Sequence, residues 1–230
     1  MTNQTSLFLH EEVMLLALRD EEGTIASGTM YQYAIGAAIL AELLLNQRIA
    51  LDESNKKKLA NLISPMPLGK PLIDQYLEKI GNAKRRASLQ TWVSRFAGVK
   101  NLKHRIARQL CDRGILRASE DKILLLFTRK IYPEINPEPE KKLIERLRHA
   151  IFTDSREVDA RTVVLVSLAD STGLLKVVFD KKELKSRKAR IKEISNGEIT
   201  GKAAKEAIEA MQAAVMVACI MPAITTAAIH

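Results

Sequence analysis

The stretch over residues 99–133 constrains the fold most, because it joins a basic amphipathic helix, a helix stop and a hairpin pattern. Apolar residues at helical spacing form one stripe of the helix, and cations occupy its other faces. The stripe is Val99, Leu102, Ile106 and Leu110, and the cations are Lys100, Lys103, Arg105, Arg108 and Arg113. Gly114 is the predicted helix end, since glycine takes the left-handed cap conformation without a steric penalty.

A β-hairpin is predicted after this helix, at about residues 115–132. Residues 115–116 form a first apolar arm, residues 117–121 a polar connection, and residues 123–127 a second apolar run. Two short apolar runs separated by polar residues are typical of a hairpin.

The residues before this unit predict several short elements. A first helix near the N-terminus places His10, Glu11 and Glu12 on its exposed side. An alanine-rich helix over about 30–46 is expected at the centre of the core. A short strand over 47–52 and a short basic helix over 56–62 follow.

Later segments also read as helices. Ser88 is positioned to cap one of them. Asp159 begins another, whose residues 161–169 are apolar on almost every side, which is typical of a buried helix. Residues 181–194 form a basic helix, and residues 202–219 form a final helix. The sequence therefore predicts a mainly α fold, a single helical domain over residues 1–230 with about ten helices and a projecting β-hairpin.

The charge of the chain indicates an anionic partner. Lysine and arginine number 36 and aspartate and glutamate 27, which gives a formal net charge of +9. Nucleic acid, an anionic membrane surface and phosphorylated ligands all fit this balance. Aromatic residues make up only 4% of the chain, which argues against base stacking as the main activity.

Targeting and redox features predict a soluble protein of a reducing compartment. The N-terminus has no signal-peptide pattern, and the apolar stretch over 213–229 is short for a membrane span and interrupted by Pro222. Cys111 and Cys219 lack metal-ligand spacing and read as structural thiols.

Catalytic signatures are absent from the sequence, so neither an enzyme nor a cofactor is predicted. Lys100 and Lys103, spaced i, i+3 with His104 beside them, would form a small cationic face suited to one phosphate group. The alternative is a plain solvated helix face. Two functional classes fit: a winged-helix reader of nucleic acid, and a protein that binds lipid headgroups at a membrane.

Motifs spread over most of the chain resemble those of the Golgi phosphoprotein 3 family. They comprise residues 7–18 with 20–23, 41–45 with 48–49, 69–74, Trp92, 108–116 with Phe127 and 132–133, and 159–162 with 173–175. The resemblance implies a helical fold with a projecting hairpin and no enzymatic activity. It also implies peripheral membrane association through phosphatidylinositol 4-phosphate, binding of cytoplasmic cargo tails, and self-association through the hairpin.

The lipid-binding residues implied by the resemblance fall on Lys100 and Lys103, with His104 beside them. Two further family positions depart from the pattern: the loop over 24–29 has no tryptophan, and Gly36 stands where the family has an arginine. Ile25 and Met30 could replace the tryptophan only weakly.

Together these observations predict a non-enzymatic peripheral membrane adaptor and a compact bacterial member of the family. We expect it in the cytoplasm, or at the cytosolic face of the Golgi in a eukaryote, as a possible homo-oligomer. The alternative is a winged-helix-like nucleic-acid-binding protein.

Overall fold

A computed structural model describes residues 6–19, 21–52, 54, 59–123 and 127–197. Within these ranges the chain forms ten helices and two separate two-stranded antiparallel sheets, which confirms the predicted mainly α fold with a hairpin. The helices are α1 (Leu9–Ala17), α2 (Tyr31–Leu45), α3 (Pro71–Gly81), α4 (Leu89–Ala97), α5 (Leu102–Asp112), α6 (Glu138–Phe152), α7 (Ala160–Ser171), α8 (Leu175–Val178), α9 (Lys181–Ser186) and α10 (Lys188–Ser195). The strands are β1 (Ile49–Asp52), β2 (Leu59–Leu62), β3 (Ser119–Ile123) and β4 (Phe127–Ile131).

Helix α2 lies at the centre of the core, as its alanine-rich sequence predicts, and packs against α1 and α4. The approach to α4 is closest at Gly36. A Cβ atom on this residue would lie 2.7 Å from the carbonyl oxygen of Val93, which is closer than any real Cβ contact. The absence of a side chain at position 36 therefore sets the distance between the two helices.

The predicted exposure of the charges on α1 is wrong. His10, Glu11 and Glu12 are 1%, 3% and 4% exposed, because α1 is surrounded on all sides by other helices. Arg113 at the end of α5 lies 2.7 Å from Glu11, and Arg146 of α6 lies 2.9 Å from Glu12. Buried carboxylates are tolerated when cations neutralise them, and these cations come from distant parts of the chain.

The predicted basic helix over 56–62 is also wrong where it can be checked. Residues 59–62 form strand β2, which pairs with β1 so that Ile49 faces Leu62 and Asp52 faces Leu59. Residues 55–58 lie outside the described part. The strand predicted over 47–52 is confirmed as β1.

The hairpin exists within residues 115–132, but its arms differ from the prediction. Ile115 and Leu116 are buried in the core ahead of the hairpin. The residues predicted as a polar connection supply the first part of β3, which pairs with β4 from Ser119 opposite Ile131 to Ile123 opposite Phe127. Burial of the apolar pair in the domain, instead of in the hairpin, shifts the first arm along the chain.

The base of the hairpin is fixed against the loop that follows α1. The backbone N–H of Tyr132 donates to the carbonyl oxygen of Gly23 at 2.9 Å. Gly23 has φ +59°, and a Cβ atom there would lie 2.3 Å from the backbone nitrogen of Pro133. Only glycine fits this close contact.

Helices α7, α9 and α10 agree with the sequence: Asp159 caps α7, which is largely buried, and the basic segment over 181–194 is helical with a break at Arg187. The predicted helix over 202–219 and the stretch over 213–229 lie outside the described residues. Over the part that is described, no helix is both long and apolar enough to traverse a membrane.

Candidate anionic-ligand site

Helix α5 carries the predicted apolar stripe and cationic faces. Leu102, Ile106 and Leu110 are buried, and Gly114 ends the helix with φ +69°, as predicted. The helix begins only at Leu102, however, after Asn101 in the left-handed conformation with φ +62°. Lys100 therefore lies in the preceding turn, and the expectation that it shares one helical face with Lys103 is wrong.

A cavity of about 730 Å³ opens beside this turn. Its walls are the turn before α5, the outer face of α5, the first turn of α3 and strand β4. The described residues that line it are Pro71, Leu72, Lys100, Asn101, His104, Arg105, Arg108, Gln109, Asp112 and Lys130. Its volume lies within the range of about 300–1,000 Å³ that is usual for small-molecule sites.

The three predicted binding residues separate into two groups. Lys100 and His104 line the cavity, whereas Lys103 is not among its described lining residues. Burial, followed by the charge of Arg129, lowers the pKa of the half-buried Lys103. Lys103 thus adds positive potential near the hairpin and does not form a cavity wall.

The cavity is also lined by three basic side chains that were not predicted as binding residues, Arg105, Arg108 and Lys130. Arg105 and Arg108 belong to the basic helix, so periodicity had already placed them on its polar faces. Lys130 comes from β4 and reaches the site only through the fold. Its sequence position beyond the hairpin turn carried no signal for this role.

The electrostatics of the cavity favour an anion. Asp112 is the sole carboxylate among the described lining residues, against Lys100, Arg105, Arg108 and Lys130. Nη2 of Arg105 donates a hydrogen bond to Oε1 of Gln75 at 2.7 Å. Gln75 is neutral, so this contact does not offset the positive charge of Arg105. The first turns of α3 and α5 also border the space, and helix N-termini add positive potential.

His104 connects the cavity to the hairpin base. Its Nδ1 lies 2.9 Å from the hydroxyl oxygen of Tyr132. Burial lowers the pKa of His104, and the positive charges of Lys103, Lys130 and Arg108 lower it further. Burial, together with the cations that favour an anion, therefore favours the neutral imidazole, and a bound anion would raise its pKa.

The structure shows what surrounds the two positions that depart from the family pattern, which are the loop over 24–29 and Gly36. Ile25 pairs with Leu18 in an isolated bridge and packs partly against the core, while Ser27 and Gly28 are exposed. Gly36 leaves no space for a side chain against α4. Among the described residues, neither the loop nor α2 contributes to the cavity.

The side chains that line the cavity are mostly basic or polar. Within the described ranges, no group of three or more His, Cys, Asp or Glu side chains is arranged to hold a metal ion. The cavity offers ammonium, guanidinium and imidazole groups, which suit a phosphate or another compact anion.

The fold and the site define a class of mainly helical domains in which a cavity lined by basic side chains lies beside a two-stranded hairpin. The chain belongs to the Golgi phosphoprotein 3 (GPP34) family, whose sequence model matches residues 9–211. This confirms the resemblance drawn from the motifs, while the bacterial origin and the extent of the domain over 1–230 stay predictions.

A curated relative is similar to much of the chain. Vacuolar protein sorting-associated protein 74 of Schizosaccharomyces pombe is 25% identical over 175 residues, which cover 68% of this chain and 51% of the relative. The chain therefore spans about half the length of that relative.

Proposed function

We propose that the protein is a non-enzymatic, peripheral membrane adaptor that binds an anionic phospholipid headgroup, with phosphatidylinositol 4-phosphate as the first candidate. The observation that carries this proposal is the cavity beside α5, whose described lining has four basic side chains and one carboxylate. Lys100 is the predicted phosphate contact inside the cavity. Lys103 strengthens the positive potential from the neighbouring face.

The charge of the whole chain supports binding at a membrane surface. A net charge of +9 attracts the protein to anionic lipid, and each basic residue near such a surface contributes about 1 kcal/mol. This attraction is general and screened by salt, whereas a walled cavity can distinguish headgroups. In this proposal, general electrostatic attraction brings the protein to the membrane surface, and the cavity selects the headgroup.

The adaptor part of the proposal rests on family membership and on the name of the yeast relative, which associates that protein with vacuolar protein sorting. We infer that the chain likewise holds a protein partner, such as the cytoplasmic tail of a cargo protein, at a membrane. The proposed location is the cytoplasm, peripheral to membrane, and the cytosolic face of the Golgi in a eukaryote.

The proposed homo-oligomer uses the hairpin. Strands β3 and β4 pair only with each other over the described residues, so their outer edges carry unpaired backbone groups. Such edges can pair with another strand, and an isolated two-stranded hairpin is only marginally stable in water. A second copy of the chain would supply the missing contacts.

Vesicle sedimentation tests the lipid-binding function. Neutral vesicles, vesicles with phosphatidylserine, and vesicles with phosphatidylinositol 4-phosphate are compared at two salt concentrations. We expect the phosphoinositide vesicles to retain the protein at the higher salt. The double variant Lys100→Ala, Lys103→Ala should bind about thirtyfold more weakly, which corresponds to about 1 kcal/mol for each lost charge.

Matched controls make this test specific. Lys182→Ala removes one exposed charge from α9, away from the cavity, and should bind nearly as well as the wild type. Unchanged binding of the double variant would remove Lys100 and Lys103 from the site. A DNA mobility-shift assay runs alongside, and binding to DNA with no vesicle binding would support the winged-helix alternative instead.

A further inference from the structure

We infer that the loop over residues 62–68, between β2 and α3, inserts apolar side chains into the interfacial region of a lipid bilayer beside the bound headgroup. This segment is called the apolar loop below, and Ile63 and Met66 are its inserted side chains. The inference rests on the proposed function and adds a second kind of membrane contact, made with lipid hydrocarbon and not with phosphate.

The apolar loop holds most of the large apolar side chains that the described surface exposes. Five such side chains are exposed among the described residues, and three of them, Leu62, Ile63 and Met66, lie in this loop. Ile63 and Met66 are 60% and 63% exposed, and the neighbouring Pro65 and Pro67 are exposed as well. Single exposed apolar residues are normal on a protein surface, whereas apolar residues grouped in one place indicate a binding surface.

Backbone hydrogen bonds fix both ends of the apolar loop. The N–H of Ile63 donates to the carbonyl oxygen of Arg48 at 2.8 Å, and the N–H of Leu68 donates to Oδ1 of Asp74 at 2.6 Å. Between these two bonds, the prolines of the loop restrict φ. The loop therefore presents Ile63 and Met66 to solvent in a fixed conformation, so little conformational entropy is lost when they enter a bilayer.

The apolar loop runs along α3 to the edge of the cationic cavity. The Cδ2 methyl of Leu62 lies next to Gly81 at the end of α3, and Leu68 is bonded to Asp74 in the first turn. Pro71, the first residue of α3, lines the cavity. A helix of 11 residues is about 16 Å long, so the loop and the cavity fit against one patch of bilayer.

The surroundings of the apolar loop match an anionic bilayer. Lys70 follows the loop, and the adjacent cavity has four basic side chains and one carboxylate in its described lining. Interfacial membrane binding combines apolar side chains, which enter the hydrocarbon boundary, with basic ones, which attract anionic headgroups. A lipid surface thus satisfies the loop and the cavity at the same time.

Quenching of tryptophan fluorescence by brominated lipids tests the insertion directly. Trp92 is the single tryptophan of the chain and is 4% exposed, so Met66→Trp adds a second, exposed ring. On vesicles that contain phosphatidylinositol 4-phosphate and lipids brominated on their acyl chains, Met66→Trp should lose more emission than the wild type. Val177→Trp, on α8, should match the wild type. Equal quenching of the two variants would overturn the inference.

Sedimentation with the same lipids, unbrominated, measures what the insertion contributes to binding. The double variant Ile63→Ser, Met66→Ser should bind about tenfold more weakly, which corresponds to about 1.4 kcal/mol. The loss should persist at high salt, because burial of apolar surface is not screened. Both side chains are exposed, so thermal melting should be unchanged.

The matched control removes two exposed apolar side chains elsewhere. Ile135 and Val177 are 52% and 38% exposed, and neither belongs to the apolar loop. The double variant Ile135→Ser, Val177→Ser should bind within about twofold of the wild type. A loss equal to that of the loop variant would assign the effect to general hydrophobicity and would overturn the inference.

The outcomes separate this inference from the proposed function. If the wild type binds vesicles and the loop variant binds equally well, the inference is overturned and the proposed function stands. If that variant also has a lower mass than the wild type in sedimentation equilibrium, the loop is instead an interface between copies of the chain. A wild type that binds no vesicles overturns both proposals.

Discussion

Arg161 of α7 forms an ion pair with Glu42 of α2 inside the protein, with Nη1 lying 3.0 Å from Oε1 and 3.1 Å from Oε2. The same guanidinium lies 3.6 Å, through Nε, from a carboxylate oxygen of Glu12 on α1. Glu42 also accepts the backbone N–H of Leu9 at 2.8 Å. One cation of α7 therefore joins α1 and α2 through two carboxylates that are almost fully buried.

Replacing Arg161 by methionine should strongly destabilise the fold. The substitution keeps much of the side-chain volume but leaves Glu42 and Glu12 buried with one cation fewer. Removal of one partner of a buried pair costs about 3 kcal/mol or more. Chemical denaturation would measure the change in the free energy of unfolding.

Arg19→Met is the control for this prediction. Arg19 and Glu22 form an ion pair at 3.4 Å with side chains 49% and 56% exposed, and such surface pairs contribute about 0–1 kcal/mol. Equal effects of the two variants would show that the buried network does not stabilise the fold beyond an ordinary surface pair.

Gly36→Ala should destabilise the protein by about 1–3 kcal/mol, because the new methyl group would press against the backbone of α4. Alanine normally stabilises a helix relative to glycine, so the expected sign is opposite to that of helix propensity. Gly81→Ala in α3 is the matched control, since its Cβ would meet only a side-chain methyl of the exposed Leu62 at 3.3 Å. A melting temperature that is higher for Gly36→Ala than for Gly81→Ala would contradict the close packing of α2 against α4.

His10 should make the protein sensitive to acid. The pKa of His10 is lowered to about 3, chiefly by burial; a hydrogen bond with Gln109 opposes this shift, and the charges of Arg161 and Arg113 add to it. The unfolded chain binds this proton near pH 6.5 and the native state does not, so stability falls as pH decreases from about 6.5 towards 3. The slope is at most about 1.4 kcal/mol per pH unit.

His10→Gln should reduce the pH dependence of the free energy of unfolding between pH 6 and 4, whereas His149→Gln, on the exposed face of α6, should not. If His10→Gln does not fold, a nuclear magnetic resonance titration of the wild-type ring replaces it. A ring that titrates near pH 6.5 in the native protein would refute the prediction.

Anion binding should become tighter as pH falls, because a bound anion offsets the charges of Lys103, Lys130 and Arg108 that lower the pKa of His104. The ring then takes up a proton on binding. Affinity should rise between pH 7.5 and 5.5, by at most about tenfold for each unit by which the anion raises the pKa.

Inositol hexasulfate is a suitable probe for this effect, since its sulfate esters do not titrate in this range. His104→Gln should lose the pH dependence and His149→Gln should keep it. A pH dependence that persists in His104→Gln would assign it to another group.

Replacing residues 119–131 by a short glycine-serine linker should lower the mass of any oligomer in sedimentation equilibrium. This change removes both strands and keeps Tyr132, which contacts Gly23. An unaltered mass, or a monomeric wild type, would exclude the hairpin as the assembly element.

Local signals in the sequence predicted much of this fold. Ser88 and Asp159 accept backbone N–H groups at the starts of α4 and α7, and Gly114 ends α5, because caps and stops depend on neighbouring residues. The alanine-rich pattern of α2 likewise predicted its position at the centre of the core.

Features that depend on distant residues were not predicted. The burial of Glu11 and Glu12 requires Arg113 and Arg146, which are far away in sequence. Strand β2 owes its conformation to pairing with β1 and not to its own periodicity. One side of the candidate site has the same origin: Lys100 and His104 were predicted from the basic segment around α5, whereas Lys130 reaches the cavity only through the hairpin register.

The contact between Gly23 and the hairpin base gives the hairpin a mechanical stop on one side. Because a Cβ at position 23 would already overlap Pro133, the base of the hairpin cannot tilt towards the loop after α1 without pushing that loop. Tilting the other way stretches the hydrogen bond from the backbone N–H of Tyr132 to Gly23. The base of the hairpin is thus braced against the loop after α1 by backbone contact in one direction and tethered to it by a hydrogen bond in the other, so the two directions of tilt differ in stiffness.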